Sequence, residues 1–167
     1  MNQLKKSAEN SEAILKEKNF EIHGIPHYNN ENLNDTIINI AKNLDMQMDE
    51  KDIDNVYRIK KHRKEGSSKP EPIIVTFMRR EMKEKFISLR RHRSMYAREI
   101  GFEDSQNQVF INDHLTKRSK ELLWKARNLK REKNYKYVWY KNGNIYLRKN
   151  DNTEAMRISN ESDLLKL

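Results

Sequence analysis

Tyr137, Trp139 and Tyr146 alternate with Lys141 and Arg148 on either side of the dipeptide Asn142-Gly143. Asn-Gly between two alternating runs is a strong short-range hairpin signal, because both central residues of the tight turn need positive φ. A two-residue turn there sets Lys141 opposite Asn144, Tyr140 opposite Ile145, Trp139 opposite Tyr146, Val138 opposite Leu147 and Tyr137 opposite Arg148. Opposite residues share a face. One face is then Val138, Tyr140, Ile145 and Leu147; the other gathers the three rings and the cations. Rings interleaved with cations suit unpaired polynucleotide: bases stack on the rings at about 1–3 kcal/mol each while the cations follow the phosphates. The same rings would equally serve as a packing face for a neighbouring domain or subunit, since the two uses share one composition.

Further cations come in clusters: Arg58 with Lys60, Lys61, Arg63 and Lys64; Arg79 with Arg80; Arg90, Arg91 and Arg93; Lys117, Arg118, Arg127, Lys130 and Arg131; and Arg157. The net charge is +9, yet residues 1–56 are net acidic, so the whole positive excess lies from Tyr57 onward. Such asymmetry predicts a polyanion-binding surface, with an affinity that falls steeply as salt rises. The Lys60–Lys64 run also has the composition of a nuclear-import signal.

Catalytic signatures are missing. His23, His27, His62, His92 and His114 show no metal-ligand spacing, and the chain has no cysteine to complete such a site. There is neither a Gly-rich phosphate loop nor a Gly-x-Ser-x-Gly elbow, and Asp113-His114 adjacency creates no triad geometry. The expectation is a non-enzymatic protein without metal or cofactor. No apolar run is long enough to span a bilayer, and MNQLKKSAEN lacks the apolar stretch of a signal peptide. An intracellular protein, cytoplasmic or nuclear, is expected. Of 167 residues, 35% are hydrophobic and 35% charged, but the apolar residues recur with clear period, which predicts folding rather than disorder.

The elements that position these side chains can be read in order. Leu4, Ala8, Ser11 and Leu15 give a helix over residues 3–17, either the end of a coiled coil in a longer form or a helix packed on the domain. Asn19 to His23 alternates as a strand closed by Gly24-Ile25-Pro26. Leu33, Ile37, Ile40, Ala41 and Leu44 form a helical stripe with Asn30 or Asn32 as cap. Ile53 to Lys60 is a second strand and Ile73 to Phe77 a third. Met82, Phe86 and Leu89 then mark a helix whose other faces carry Arg79, Arg80, Lys83, Arg90, Arg91 and Arg93. Val109 to Asn112 is a fourth strand. Leu115, Ser119, Leu122, Ala126 and Leu129, capped by Thr116, precede the hairpin, with a short strand at Arg157–Ser159 and a last helical turn at Ser162–Leu167.

This is an α+β chain. Residues 1–18 form the short N-terminal helix. Residues 19–114 read β-α-β-β-α-β, the ferredoxin-like pattern of a noncanonical RNA-recognition motif, and residues 115–167 make a small domain of helix and β-hairpin. Right-handed crossovers put both helices of the larger domain on one face and leave the other uncovered. The exposed positions of its two central strands would be Glu21, His23, Pro72, Ile74 and Thr76, none of them a ring, so this sheet is a poor stacking platform. Binding must rely on charge from elsewhere: Arg58, the 60–64 loop, Arg79 and Arg80, the Arg90–Arg93 cluster, and the helix bearing Lys117, Arg118, Lys120, Arg127, Lys130 and Arg131.

The carrying segments Asn19-Phe20-Glu21-Ile22-His23-Gly24-Ile25-Pro26, Val56-Tyr57-Arg58, Ile73-Ile74-Val75-Thr76-Phe77 with Glu81-Met82-Lys83-Glu84-Lys85, and Leu129 to Tyr135 leading into the hairpin resemble a known family in this order. It is the nucleic-acid-binding region of the first open-reading-frame protein of LINE-type retrotransposons, with the related baculovirus few-polyhedra (FP) protein family; the hairpin follows the FP-like version. The resemblance covers residues 19–160. It implies a homotrimer through an N-terminal coiled coil and a single-strand-binding protein with nucleic-acid chaperone activity, with Arg58, Arg79, Arg80, Arg148 and Arg157 at positions matching the strand-gripping residues. The helix before residue 18 holds two heptads at most, shorter than the trimeric stalk of that family.

Together these readings predict sequence-tolerant binding of single-stranded RNA or DNA in a basic cleft between two small α+β units, within a retroelement or viral ribonucleoprotein. The other class of reading is a protein-interaction or virion-structural module whose aromatic face meets protein.

Overall fold

The computed structural model describes residues 2–60 and 68–167, a mixed α+β chain with two antiparallel sheets. Lys61, Arg63 and Lys64 lie outside the described residues. The chain divides into two compact units, Lys18–His114 and Leu115–Leu167, the second taking in Met1–Glu17.

In the first unit, strands β1 (Asn19–His23), β2 (Ile53–Arg58), β3 (Ile73–Phe77) and β4 (Phe110–Asp113) lie in the order β2-β3-β1-β4, and each neighbouring pair is antiparallel. The period of two sends Phe20, Ile22, Ile73, Val75 and Phe77 to one face. There they form a single core with Ile37 and Ile40 of helix α2 (Leu33–Asn43) and Met82 and Phe86 of helix α3 (Arg80–Arg91). Phe20 anchors it, with the rings of Phe77 and Phe86 centred 4.9 and 5.2 Å away. Of the two asparagines before α2, Asn32 is the cap: its side-chain oxygen accepts from the Asp35 N–H at 3.3 Å. Asn30 instead takes φ 59° in the preceding loop.

Two expectations for this unit are corrected. Lys83 is not on the outer face of α3; it is buried, with its ammonium 3.0 Å from Asp113 of β4. It follows Met82 and lies one turn before Phe86, so the helix turns it inward, and the carboxylate compensates the lost hydration. Nor is the helix-free face of the sheet open at its centre: Ile74 is fully buried and Glu21 nearly so. Ile73-Ile74-Val75 is an unbroken apolar run, the pattern of a strand covered on both faces rather than one. The Glu21 carboxylate lies 2.9 Å from His23 Nε2 and 3.7 Å from His114 Nε2. The rings on this face stand at its edges, where Tyr57 of β2 and Phe110 of β4 are both exposed.

Gly24 ends β1 at φ +91°, and a Cβ built there would sit 2.1 Å from the Gln108 carbonyl oxygen. Gly24→Ala is therefore expected to cost more than the roughly 1–3 kcal/mol of the dihedral alone, read as a lowered urea midpoint. An unchanged midpoint would contradict this close approach.

The second unit places helix α4 (Lys117–Glu132) against a three-stranded sheet, β5 (Tyr137–Lys141), β6 (Asn144–Arg148) and β7 (Met156–Ile158), in the order β5-β6-β7. Thr116 caps α4, its Oγ1 accepting from the Ser119 N–H at 3.0 Å. Asn142 and Gly143 have φ 51° and 78°, and the β5–β6 register is the one that this turn dictates, Trp139 opposite Tyr146 and Tyr137 opposite Arg148. β7 adds Arg157 opposite Tyr146 and Ile158 opposite Ile145. Ile145, Leu147 and Ile158 are buried with Leu122, Leu123 and Ala126 of α4 and Leu164 of helix α5 (Glu161–Leu165). Helix α1 (Asn2–Glu17) contributes Glu9, whose carboxylate is 2.8 Å from Arg118 of α4, while Leu4 and Leu15 are exposed in the single chain.

Candidate functional site

The outer face of the C-terminal sheet assembles Tyr137, Trp139, Lys141, Tyr146, Arg148 and Arg157. Alternation along β5 and β6 puts them there once Val138, Ile145 and Leu147 are committed to α4. Trp139 and Tyr146 stack with centroids 5.4 Å apart and planes 16° from parallel. Arg157 occupies the same cross-strand row and is exposed. At one end of the ladder, Tyr137 lies within cation–π range of Lys136 and Arg148, at 5.1 and 5.9 Å from its ring centre. The face thus offers flat rings beside positive charges, a surface suited to stacking and to anions.

The cations of α4 lie on the other side of this unit. Its buried stripe of Leu122, Leu123 and Ala126 meets the inner sheet face, so Lys117, Lys120, Arg127 and Arg131 point away from the outer one. Arg118 is paired with Glu9, and Lys130 is half-buried. In the middle of that basic stripe stands Trp124, 64% exposed. The sequence carries a signal for it, an aromatic at helical spacing among cations, which the apolar stripe of α4 masks. Lys136 escapes the sequence reading because alternation over a strand from Tyr135 to Tyr140 puts it on the face of Val138 and Tyr140, whereas β5 begins at Tyr137 and Lys136 lies just before it.

Among the described residues of the first unit, several cations are occupied. The Arg58 side chain is largely covered, 7% exposed; its guanidinium donates to both carboxylate oxygens of Glu31 at 2.7 and 2.6 Å and to the carbonyls of Ile25, Pro26 and Glu71. Arg90 donates to the Val109 and Arg93 carbonyls, and burial pushes its guanidinium below its ordinary pKa. Arg93 donates to the Asn43 carbonyl at 2.5 Å. Arg79 lies 3.5 Å from Asp52, and Arg80 makes a helical pair with Glu84 at 3.1 Å. Lys60 and Arg91 are exposed. Arg80 and Arg91 sit at opposite ends of α3, roughly 16 Å apart at the helical rise, so these groups make separate patches.

Among the described residues, no group of three or more His, Asp or Glu could hold a metal ion, and no helix is long and apolar enough to cross a membrane.

Residues 116–167 match a family model, Baculovirus FP protein domain 2. The C-terminal segment is similar to that FP domain. The match begins at Thr116, the cap of α4, and runs through α5, so the FP-like segment takes in the helix, the hairpin and the aromatic face together. No curated protein matches the chain at a significant level.

Proposed function

We propose that this chain binds single-stranded RNA, and DNA by the same chemistry, with little sequence preference, through the outer face of its C-terminal sheet. The observation that carries the reading is the Trp139–Tyr146 stack with Arg157 in the same row. Stacking on such rings is sequence-tolerant because every base has a π-face, and the net charge of +9 supplies long-range attraction. Weak, exchangeable contacts of this kind permit strand annealing without a nucleotide cofactor, in an intracellular retroelement or viral ribonucleoprotein; the FP-like segment favours the viral setting. The strand order β2-β3-β1-β4, with α2 and α3 sharing one core, supports a ferredoxin-like, RNA-recognition-motif reading of Lys18–His114. The buried Ile74 and Glu21 argue that this motif does not stack bases on its central strands.

The test is anisotropy of a fluorescent single-stranded oligonucleotide over a salt series. Binding should weaken with a slope of about −0.7 in log affinity per log salt for each phosphate held. Arg157→Ala is expected to weaken binding to all sequences about equally and to flatten that slope by about 0.7. Loss confined to one sequence, or an unchanged slope, would contradict the assignment.

A protein-binding reading has its own observation. Trp124 and Leu165, both strongly exposed, flank a groove between α4 and α5 lined also by Leu129 and Leu164. Absence of oligonucleotide binding at low salt would favour it.

A further inference from the structure

At the end of the aromatic ladder, several donors converge on one acidic residue. Asp151, in the turn between β6 and β7, accepts a hydrogen bond from the Tyr137 hydroxyl at 2.5 Å and another from the Lys136 ammonium. Arg148 donates from Nη2 to the Asp151 backbone oxygen and from Nε to the Thr153 carbonyl at 2.8 Å. The hydrogen bonds from Lys136 and then Tyr137 hold the Asp151 carboxyl below the usual carboxylate range, and the bond to Asp151 raises Lys136 in turn. Both groups are ionised at neutral pH.

The turn does not depend on that side chain. Asn150 N–H donates to Thr153 Oγ1 at 3.1 Å, Asn152 N–H donates to Asn150 Oδ1 at 2.9 Å, and Thr153 Oγ1 donates to the Asn150 carbonyl at 3.1 Å. The Asp151 carboxylate is thus an exposed anion lying on an ammonium and a phenol, beside a guanidinium, in a frame that stands without it. A phosphate oxygen makes the same charge-assisted hydrogen bonds. An exposed ion pair contributes little to stability, so displacing it costs little. Tyr137 is two residues from Trp139 on the same face, about 6.8 Å along the strand, which sets the cluster beside the ring stack.

We propose that Lys136, Tyr137 and Arg148 form a phosphate-binding subsite, and that the Asp151 carboxylate is its internal competitor, displaced when a polynucleotide phosphate binds. The natural ligand rests on the single-strand reading above; the anion chemistry does not.

Asp151→Asn keeps the acceptor shape and removes the charge. Wild type and variant are titrated with fluorescein-labelled oligothymidylate over a salt series, and with inorganic phosphate while the Tyr137 ring resonances are followed by NMR. Thermal melting of each protein checks that both are folded. The variant is expected to bind the oligonucleotide roughly 3–10-fold more tightly across the salt series, because the phosphate no longer has to displace a carboxylate. Phosphate should shift the Tyr137 resonances at lower concentration in the variant, and Lys136→Ala added to Asp151→Asn should remove both gains. Wild-type binding with no gain in a folded variant and no phosphate shift would overturn the subsite and leave the single-strand reading standing. A phosphate shift in the variant without oligonucleotide binding by either protein would uphold the subsite and overturn that reading.

Discussion

Arg58→Ala should lower the urea midpoint of the Lys18–His114 unit at a cost of about 3–5 kcal/mol, the range for removing one partner of a buried ion pair. Arg58 is held by both oxygens of Glu31 and by the Ile25, Pro26 and Glu71 carbonyls. Alanine would leave the half-buried Glu31 carboxylate and three carbonyls without that donor, and would untie the Gly24–Asn32 loop from Glu71, just before β3. Chemical denaturation followed by circular dichroism measures the loss. Arg58→Lys should recover only part of it, because a point ammonium cannot fork across a carboxylate and reach three carbonyls as well. If Arg58→Ala kept its stability and lost only oligonucleotide affinity, the structural assignment of Arg58 would fail. The resemblance that places Arg58 among strand-gripping residues would then be the better guide.

The second large effect concerns binding. Trp139→Ala with Tyr146→Ala should reduce affinity for single strands by about 1–3 kcal/mol for each base that loses its ring, or roughly 10–100-fold for one strongly stacked base. Because neither ring carries charge, the salt slope should stay as it is in the wild type. Arg157→Ala, in the same cross-strand row, should do the reverse, with a modest loss of affinity and a flatter slope. Anisotropy titrations at several salt concentrations separate the two patterns. A double ring variant that binds as tightly as the parent would remove the central support for base stacking on this face.

Much of the local structure was legible before any coordinates. Asn142-Gly143 determined the hairpin register, because only positive φ at both positions closes a two-residue turn between right-twisted strands, and that register assigned each ring and cation to its face. Period-two alternation in Asn19–His23 and period-3.6 spacing in Leu33–Asn43 defined the core partners, and Thr116 announced the start of α4. These are short-range signals, carried by the residues themselves.

What the sequence left open depended on neighbours distant in the chain. Arg58 and Lys83 look like any solvated cation until Glu31 and Asp113 are brought to them from 27 and 30 positions away. Ile74 and Glu21 alternate as solvent-facing residues, yet they are buried. The cations of α4 and the rings of β5 and β6 seem one cluster along the chain, but packing α4 on the inner sheet face turns them to opposite sides. Asp151 reads as an ordinary turn residue until the β6–β7 turn lays it on Lys136 and Tyr137. Composition determined the excess of positive charge, and residue order around Asn142-Gly143 determined a ring-bearing hairpin. Only tertiary structure decided which charges remain free to act, because a cation becomes buried, paired or available according to what the fold places against it.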